Sequence, residues 1–470
     1  MSTVAKWFSP HIAQGVDTPQ SRFYRQLTNW LTVVCIILLT VNSARIVYRS
    51  IYSEIPFVDE IAITRAHYMF LMILSPAGES VTTLDSVAHS SGIVGSGLGA
   101  AVFVLGGDLL HSRITVAALD TLLAILIGVV LFRSWSFGLA PAVLCATLIW
   151  GLTVTTPFAM PYWPGFTMNL GEFPGALVIG IGLSVVATSP GLAALIWGAA
   201  AWHTKPLYFP VSLLMTITSA LTYSKAITGK TRGLFVYIAI FLFPLITFVT
   251  LIGFRYGIDE AASEFVYPFR LLFLSEGAGV ITTFSPLHLL LNNTHPLSLS
   301  HLISRFHDPH LEWSQSFYTL GSKIKVVSLS LGSVAVTLLG LYQQRPADRR
   351  PFTTLASWVL MVMVLAYTYW WFMLHPTMWM RHFQPALYIG LGLWIFWLLQ
   401  ISRRFSLIDR PFLRWGAIAF VTTFVAWQTY FSWGISTRIS DFPTQWRCPI
   451  TNFVSGDGSD FPGFLVCKQN

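Results

Sequence analysis

Residues 114–131 read ITVAALDTLLAILIGVVL, eighteen positions with one charge, Asp120, and with Arg113 and Arg133 waiting just outside. A run of that length with a single charge has no polar face to turn toward water and is long enough to approach the thickness of a bilayer core. The rest of the chain agrees with this stretch. Of its 470 residues 54% are hydrophobic and only 10% charged, with mean hydropathy +0.63. A soluble domain carries about 25% charged residues, so this chain cannot cover itself with a polar surface. The same numbers exclude a disordered chain or a small disulfide scaffold. The expectation is an all-α polytopic membrane protein, its 18 Trp and 16 Tyr suiting two membrane–water interfaces.

Outward from that run, apolar stretches bounded by charge or Pro/Gly clusters predict about eleven transmembrane helices. They are Asn29–Asn42, Ile114–Leu131, Gly138–Thr155, Phe173–Val186, Gly191–Trp202, Leu207–Tyr223, Leu234–Phe254, Val326–Tyr342, Leu355–Leu374, Gln384–Leu399 and Gly416–Trp433. The fourth and fifth are short and read as a tight helical pair. A polar stretch with Lys6, Arg22 and Arg25 precedes the first run, which argues against a cleaved leader.

Lysine and arginine set the orientation. With the N-terminus inside, the inner segments hold Lys6, Arg22, Arg25, Arg133, Lys225, Lys230, Arg232, Arg345, Arg349, Arg350, Arg403, Arg404, Arg410 and Arg414 against only Asp17, Asp348 and Asp409. The predicted topology is therefore N-in and C-out. Residues 1–27 form an inner segment, 28–435 the membrane module, and 436–470 a short outer tail. Outer loops at 44–113 and 255–325 carry the apolar stretches Ile61–Leu74, Gly92–Leu110, Phe265–Leu274 and Leu287–Leu291, which read as helices lying in the interface. In the tail, Cys448 and Cys467 flank eighteen residues. An outer, oxidising compartment permits a disulfide there, worth about 3 kcal/mol for such a loop; two free thiols are the other reading. Cys35 and Cys145 fall in spans as small apolar residues.

Chemistry-bearing residues concentrate on the outer side. Asp59 and Glu60, in Phe57-Val58-Asp59-Glu60, are adjacent carboxylates whose repulsion can raise one pKa and make a general base, or an acidic helix start that answers the dipole. Lys205, in Trp202-His203-Thr204-Lys205-Pro206, sits on a turn between two apolar runs. It either binds an anion such as a phosphate or snorkels to headgroups, with His203 beside it. Arg381-His382 repeats this pattern and has a bidentate guanidinium among Trp370, Trp371 and Trp379. Glu172 can bond a sugar hydroxyl or complement a helix N-terminus. Asp120, inside a span, is a functional suspect or a structural hydrogen-bonding group. Eleven of the twelve histidines lie outside, but His301, His307 and His310 have no acidic partner at a metal spacing. No metal or other cofactor is expected; a divalent ion is not supported, since Asp59 has no acidic cluster around it beyond Glu60. Gly95-Ser96-Gly97-Leu98-Gly99 lacks the strand that would make it a nucleotide loop.

The layout resembles the GT-C superfamily of integral-membrane glycosyltransferases, over about residues 25–435. The resemblance rests on the N-in first span, the long outer loop with an acidic residue after it, the interface helices, the outer mid-chain lysine and the second outer loop. It implies an inverting transfer from a polyprenyl-phosphate sugar to a cell-envelope or lipid-linked glycan, on the periplasmic face of a bacterial inner membrane. It maps the catalytic base to Asp59 with Glu60 beside it, and donor-phosphate contacts to Lys205 and Arg381, with His203 and His382 as their neighbours. Glu172, His89 and Arg270 are candidate substrate contacts. Where relatives carry a Pro-rich patch this chain has His89-Ser90-Ser91-Gly92, which points away from the protein-mannosyl and aminoarabinose branches. The partners implied are the lipid-linked donor, a glycan acceptor and membrane lipids, with no nucleic acid. Two other readings are compatible with an outward-facing polytopic chain. One is an O-antigen polymerase or ligase, whose key residues would be Arg270, Arg305 and the nearby histidines. The other is a lipid or glycan transporter, which would show repeats and broken helices.

Overall fold

Runs of apolar residues with no water to satisfy their backbone must fold as helices, and the computed structural model is helical almost throughout what it describes. Described are residues 92–134, 172–204, 206–224, 230–259, 320–344, 350–374 and 380–404, parts of 30–51, isolated positions at 139–150, 262 and 419–430, and 453–455 and 465–467. The helices are α1 (Ile36–Arg45), then α2 (Gly92–Val104), α3 (Leu109–Ser134), α4 (Glu172–Val185), α5 (Pro190–His203), α6 (Phe209–Tyr223), α7 (Lys230–Tyr256), α8 (Leu320–Gln343), α9 (Pro351–Tyr369) and α10 (Met380–Arg404). A 3₁₀ turn, Pro206–Tyr208, leads into α6, and a π-helical turn, Trp370–Leu374, ends α9. In the tail, β1 (Phe453–Ser455) pairs antiparallel with β2 (Leu465–Cys467), Phe453 opposite Cys467.

Four stretches are long and apolar enough to cross a membrane: Leu109–Phe132, Thr231–Thr250, Val326–Gln343 and Pro351–Phe372. At about 1.5 Å per residue the 27 residues of α7 exceed the roughly 30 Å hydrocarbon core. Ile36–Arg45, Pro174–Val185, Phe209–Tyr223 and Pro385–Leu398 are apolar but shorter. The chain is thus a helical membrane protein, with four of the eleven expected crossings reaching full length among the described residues. Large apolar side chains stand exposed along the long helices, among them Leu122, Leu126 and Val130 on α3 and Phe235, Phe243 and Ile246 on α7. Water would penalise such stripes; lipid does not.

Two boundaries differ from the sequence reading. Helix α3 begins at Leu109 rather than Ile114, and after the first apolar run Arg45, Val47, Tyr48 and Ile51 are helical, so the described residues at both ends of the 44–113 loop are helical. Arg113 is the cause at the first: it is 1% exposed and donates from Nη1 to the Ile51 carbonyl at 3.4 Å. A charge that a hydropathy reading treats as a helix boundary is buried within the helix. The stretch Gly92–Leu110 is a 13-residue helix followed by a turn at Gly106, whose φ of +84° suits glycine.

The chain divides into two compact units, one of residues 1–79, 96–170 and 402–470 and the other of 80–95 and 171–401. In the second, α5 is the hub and packs on α4, α6 and α7. Its sequence PGLAALIWGAAAWH buries Ala193, Ala194, Gly198, Ala200 and Ala201, small residues that let helix backbones approach closely. Helices α4 and α5 form the tight pair expected of the fourth and fifth runs: Trp197 is fully buried and donates from Nε1 to the Ile179 carbonyl at 3.3 Å.

Helices α6 and α9 run antiparallel. The Tyr367 hydroxyl donates to the Leu207 carbonyl at one end, and Tyr223 and Phe352 stack at the other, centroids 5.6 Å apart. Helix α8 joins α9 through Ser330 and Thr368, 2.7 Å between hydroxyls, and through the Thr354 hydroxyl on Gln344 Oε1 at 3.2 Å. Helix α10 completes the group, its Gly390 carbonyl accepting from Ser333 Oγ at 3.2 Å.

Candidate functional site

The turn between α5 and α6 is where an apolar helix meets His203, Thr204 and Pro206. Proline lacks an N–H and cannot continue the helix, so α5 stops at His203 and the chain reverses. Thr204, 1% exposed, returns its hydroxyl to the Ala200 carbonyl. His203 turns onto α7, its Nε2 3.1 Å from the Pro244 carbonyl, its ring edge-on to Phe248 with centroids 5.4 Å apart. A carbonyl only accepts, so Nε2 carries the proton and Nδ1 is left as a lone pair. That Nδ1 is buried without a hydrogen-bond partner among the described residues. Burial holds the imidazole below its ordinary range, and the Pro244 carbonyl opposes this in part.

Beyond the turn, Tyr208 is 1% exposed and lies on Gly175, where a Cβ would stand 2.2 Å from its ring. Any side chain at 175 would push α4 off the turn. Behind it, Trp202 and Phe209 pack at 5.0 Å and Phe209 and Phe241 at 6.2 Å. Across from it, α9 delivers Tyr367 to Leu207 and then widens into the π turn, a feature frequent at functional sites. There Trp371, fully buried, meets Phe383 of the first turn of α10, ring centroids 5.3 Å apart.

These contacts form a chain: Gly175 to Tyr208, Leu207 to Tyr367, Trp371 to Phe383. They bring the start of α4, the α5–α6 turn, the end of α9 and the start of α10 to one end of the second unit. Glu172 is the first residue of α4, and Arg381 and His382 open α10 beside Phe383, so three candidate positions share that end with His203. Lys205, Asp59, Glu60, His89 and Arg270 lie outside the described residues, as does Cys448. Among the described residues no three His, Cys, Asp or Glu side chains gather as a metal site would.

Three participants escaped the sequence reading: Pro244, Tyr367 and Gly175. A proline inside an apolar run was the one available signal, since it marks a kink; nothing in the sequence couples it to His203, 41 residues away. Asp120, in the other unit, is 5% exposed, and its Oδ2 has no hydrogen-bond partner among the described residues.

Compared with known proteins, the chain matches no family model, no curated protein and no solved structure.

Proposed function

We propose that this membrane protein is an inverting glycosyltransferase that takes a sugar from a polyprenyl-phosphate donor and places it on a cell-envelope or lipid-linked glycan. The reaction is set on the periplasmic face of a bacterial inner membrane, and the assignment rests on the resemblance to GT-C enzymes. The observation that supports it best is the gathering of Glu172, Arg381, His382 and the His203–Tyr208 turn at one end of the second unit. A lipid phosphate at a membrane interface calls for that kind of group: cations on short, packed segments beside an apolar wall.

In this mechanism Asp59 accepts the proton of the acceptor hydroxyl as its oxygen bonds to the anomeric carbon. The bond from that carbon to the phosphate oxygen breaks, and its electron pair leaves with the polyprenyl phosphate. Lys205 and Arg381 stabilise the charge that develops there, the effect that is usually largest in such sites. A single displacement inverts the anomeric centre, and Glu172, His89 and Arg270 hold sugar and acceptor.

The test is consumption of polyprenyl-phosphate sugars from a small panel by the purified full-length protein in detergent. Release of polyprenyl phosphate is expected for one of them, with Asp59→Asn slower by about 10²- to 10⁴-fold. Near-normal turnover by Asp59→Asn would remove the base. Consumption of a lipid-linked oligosaccharide with loss on Arg270→Ala alone would point instead to a polymerase or ligase.

A further inference from the structure

Asp120 lies near the middle of the crossing segment Leu109–Phe132, about 16 Å from one end and about 18 Å from the other at the helical rise. It is buried, and its Oδ2 has no hydrogen-bond partner among the described residues. Few charges surround it. On its own helix Arg113 is about 10 Å away along the axis, and its Nη1 is directed to the Ile51 carbonyl. Asp108 and His111, at the start of α3, are paired with each other at 2.7 Å. The Arg113–Ile51 bond joins α3 to the stretch that follows α1. The described ionisable side chains there are Arg45 and the exposed Tyr48, next to the buried Asn42 and Ser43. On another side Gly128 meets Ala146, where a Cβ on the glycine would stand 2.7 Å from the alanine Cβ. Residues 139–150 carry no charge and one thiol, Cys145, and α2 carries neither.

A carboxylate at mid-membrane keeps its charge only where cations and hydrogen-bond donors hold it; otherwise it takes up a proton and becomes neutral. The acid form then has one O–H to donate and still accepts. We propose that Asp120 is a proton-binding site inside the membrane, its ligand a single proton that the resting protein holds. Releasing that proton leaves an unpaired charge at the edge of the packed half of α3, just before the exposed Leu122 and Leu123. Protonation of Asp120 and packing of α3 are therefore linked. The site does not rest on the transferase reading.

The experiment uses the full-length protein in nanodiscs. Infrared spectra of the wild type and Asp120→Asn are compared at neutral pH, in water and in heavy water. The carbonyl stretch of a protonated carboxyl, shifted down in heavy water, should be present in the wild type and reduced by one group in the variant. Identical spectra in that region overturn the proposal. So does loss of a carboxylate band instead, which is what an ion pair with Arg45 would give.

If Asp120→Asn does not fold, chemical modification of the wild type decides alone. A carbodiimide reacts with a protonated carboxyl: the acid proton passes to a reagent nitrogen and the carboxyl oxygen bonds to its central carbon. The adduct rearranges to an N-acylurea with no atom lost. Trypsin cleavage after Arg113 and Arg133 releases Ile114–Arg133, in which Asp120 is the only carboxyl side chain. That peptide should gain the mass of one dicyclohexylcarbodiimide, delivered through the lipid, and should lose the label as the pH of the reaction is raised. A water-soluble carbodiimide should leave it unmodified. No label at any pH, a label that grows with pH, or equal labelling by the two reagents overturns the proposal.

Discussion

Gly182 and Trp197 are so closely apposed that a Cβ on the glycine would stand 2.2 Å from the indole Nε1. The same hub helix meets α7 at Gly198, where a Cβ would fall 2.2 Å from the Phe241 carbonyl oxygen. An indole can shift a little, but a helical carbonyl cannot without moving its helix. Gly198→Ala should therefore destabilise the protein, by about 1–3 kcal/mol as overpacking commonly does. Gly392→Ala, with nothing within 4 Å, should be neutral or slightly stabilising, since alanine favours a helix over glycine. Equal melting temperatures for the two variants in detergent would contradict the close α5–α7 approach.

What the sequence made legible is what composition and punctuation encode. Apolar runs closed by Gly, Pro or charge located α4 and α5 as a pair, and Pro206 marked the turn. Helix ends were less legible where a polar residue is buried: Arg113 looks like a boundary and is instead bonded to Ile51. In the tail, spacing suggested a cysteine-closed loop, while Phe453–Ser455 and Leu465–Cys467 pair as strands too short to show an alternating pattern. Tertiary partners were not legible at all. Leu207 and Tyr367 are 160 residues apart, and neither period nor motif joins them; only the packing of α6 on α9 does.

His203 makes stability depend on pH with a definite sign. Its imidazole is held below the ordinary value of 6.5 in the folded protein, so the unfolded chain takes up a proton first as pH falls. The unfolded state then binds more protons, and stability rises with pH through that window. The contribution is complete above about 6.5 and is lost as pH drops toward the lowered folded value. The melting temperature in detergent should fall as the buffer is taken from about pH 7.5 to about pH 5, and His203→Gln should lessen that slope. An identical slope in His203→Gln would show that other groups carry it.

Asp120 sits at the end of the packed half of α3. Leu109, Ser112, Arg113, Val116, Ala117 and Asp120 are buried, and the next buried residue on that helix is Phe132. A carboxyl oxygen at that depth without a partner among the described residues costs stability, so replacing it with an apolar residue of similar size should help. Asp120→Leu is expected to raise the melting temperature, by about 1 kcal/mol or more in stability. A fall would mean that Asp120 holds a partner outside the described residues. A rise accompanied by lost sugar transfer would mark a group retained for function at the expense of stability.

The antiparallel pair α6–α9 has a contact at each end. Leu207 and Tyr367 meet at one end; Tyr223 and Phe352 meet at the other, two residues from Arg350 at the N-terminus of α9. The α5–α6 turn and Arg350 therefore stand at opposite ends of that pair, about 20 Å apart for the 15 residues of α6 at the helical rise. Basic connectors favour the inner side of a membrane, so the proposed orientation puts the turn outward, where a lipid-linked donor would be met. With Cys35, Cys145, Cys448 and Cys467 replaced, a single cysteine at Lys205 should react with an impermeant maleimide added outside sealed right-side-out vesicles. One at Arg349 should react only after permeabilisation. The reverse pattern would place the turn on the inner face and end the assignment of an outward-facing transferase, whereas labelling of both from outside would contradict the opposite-end arrangement of α6 and α9.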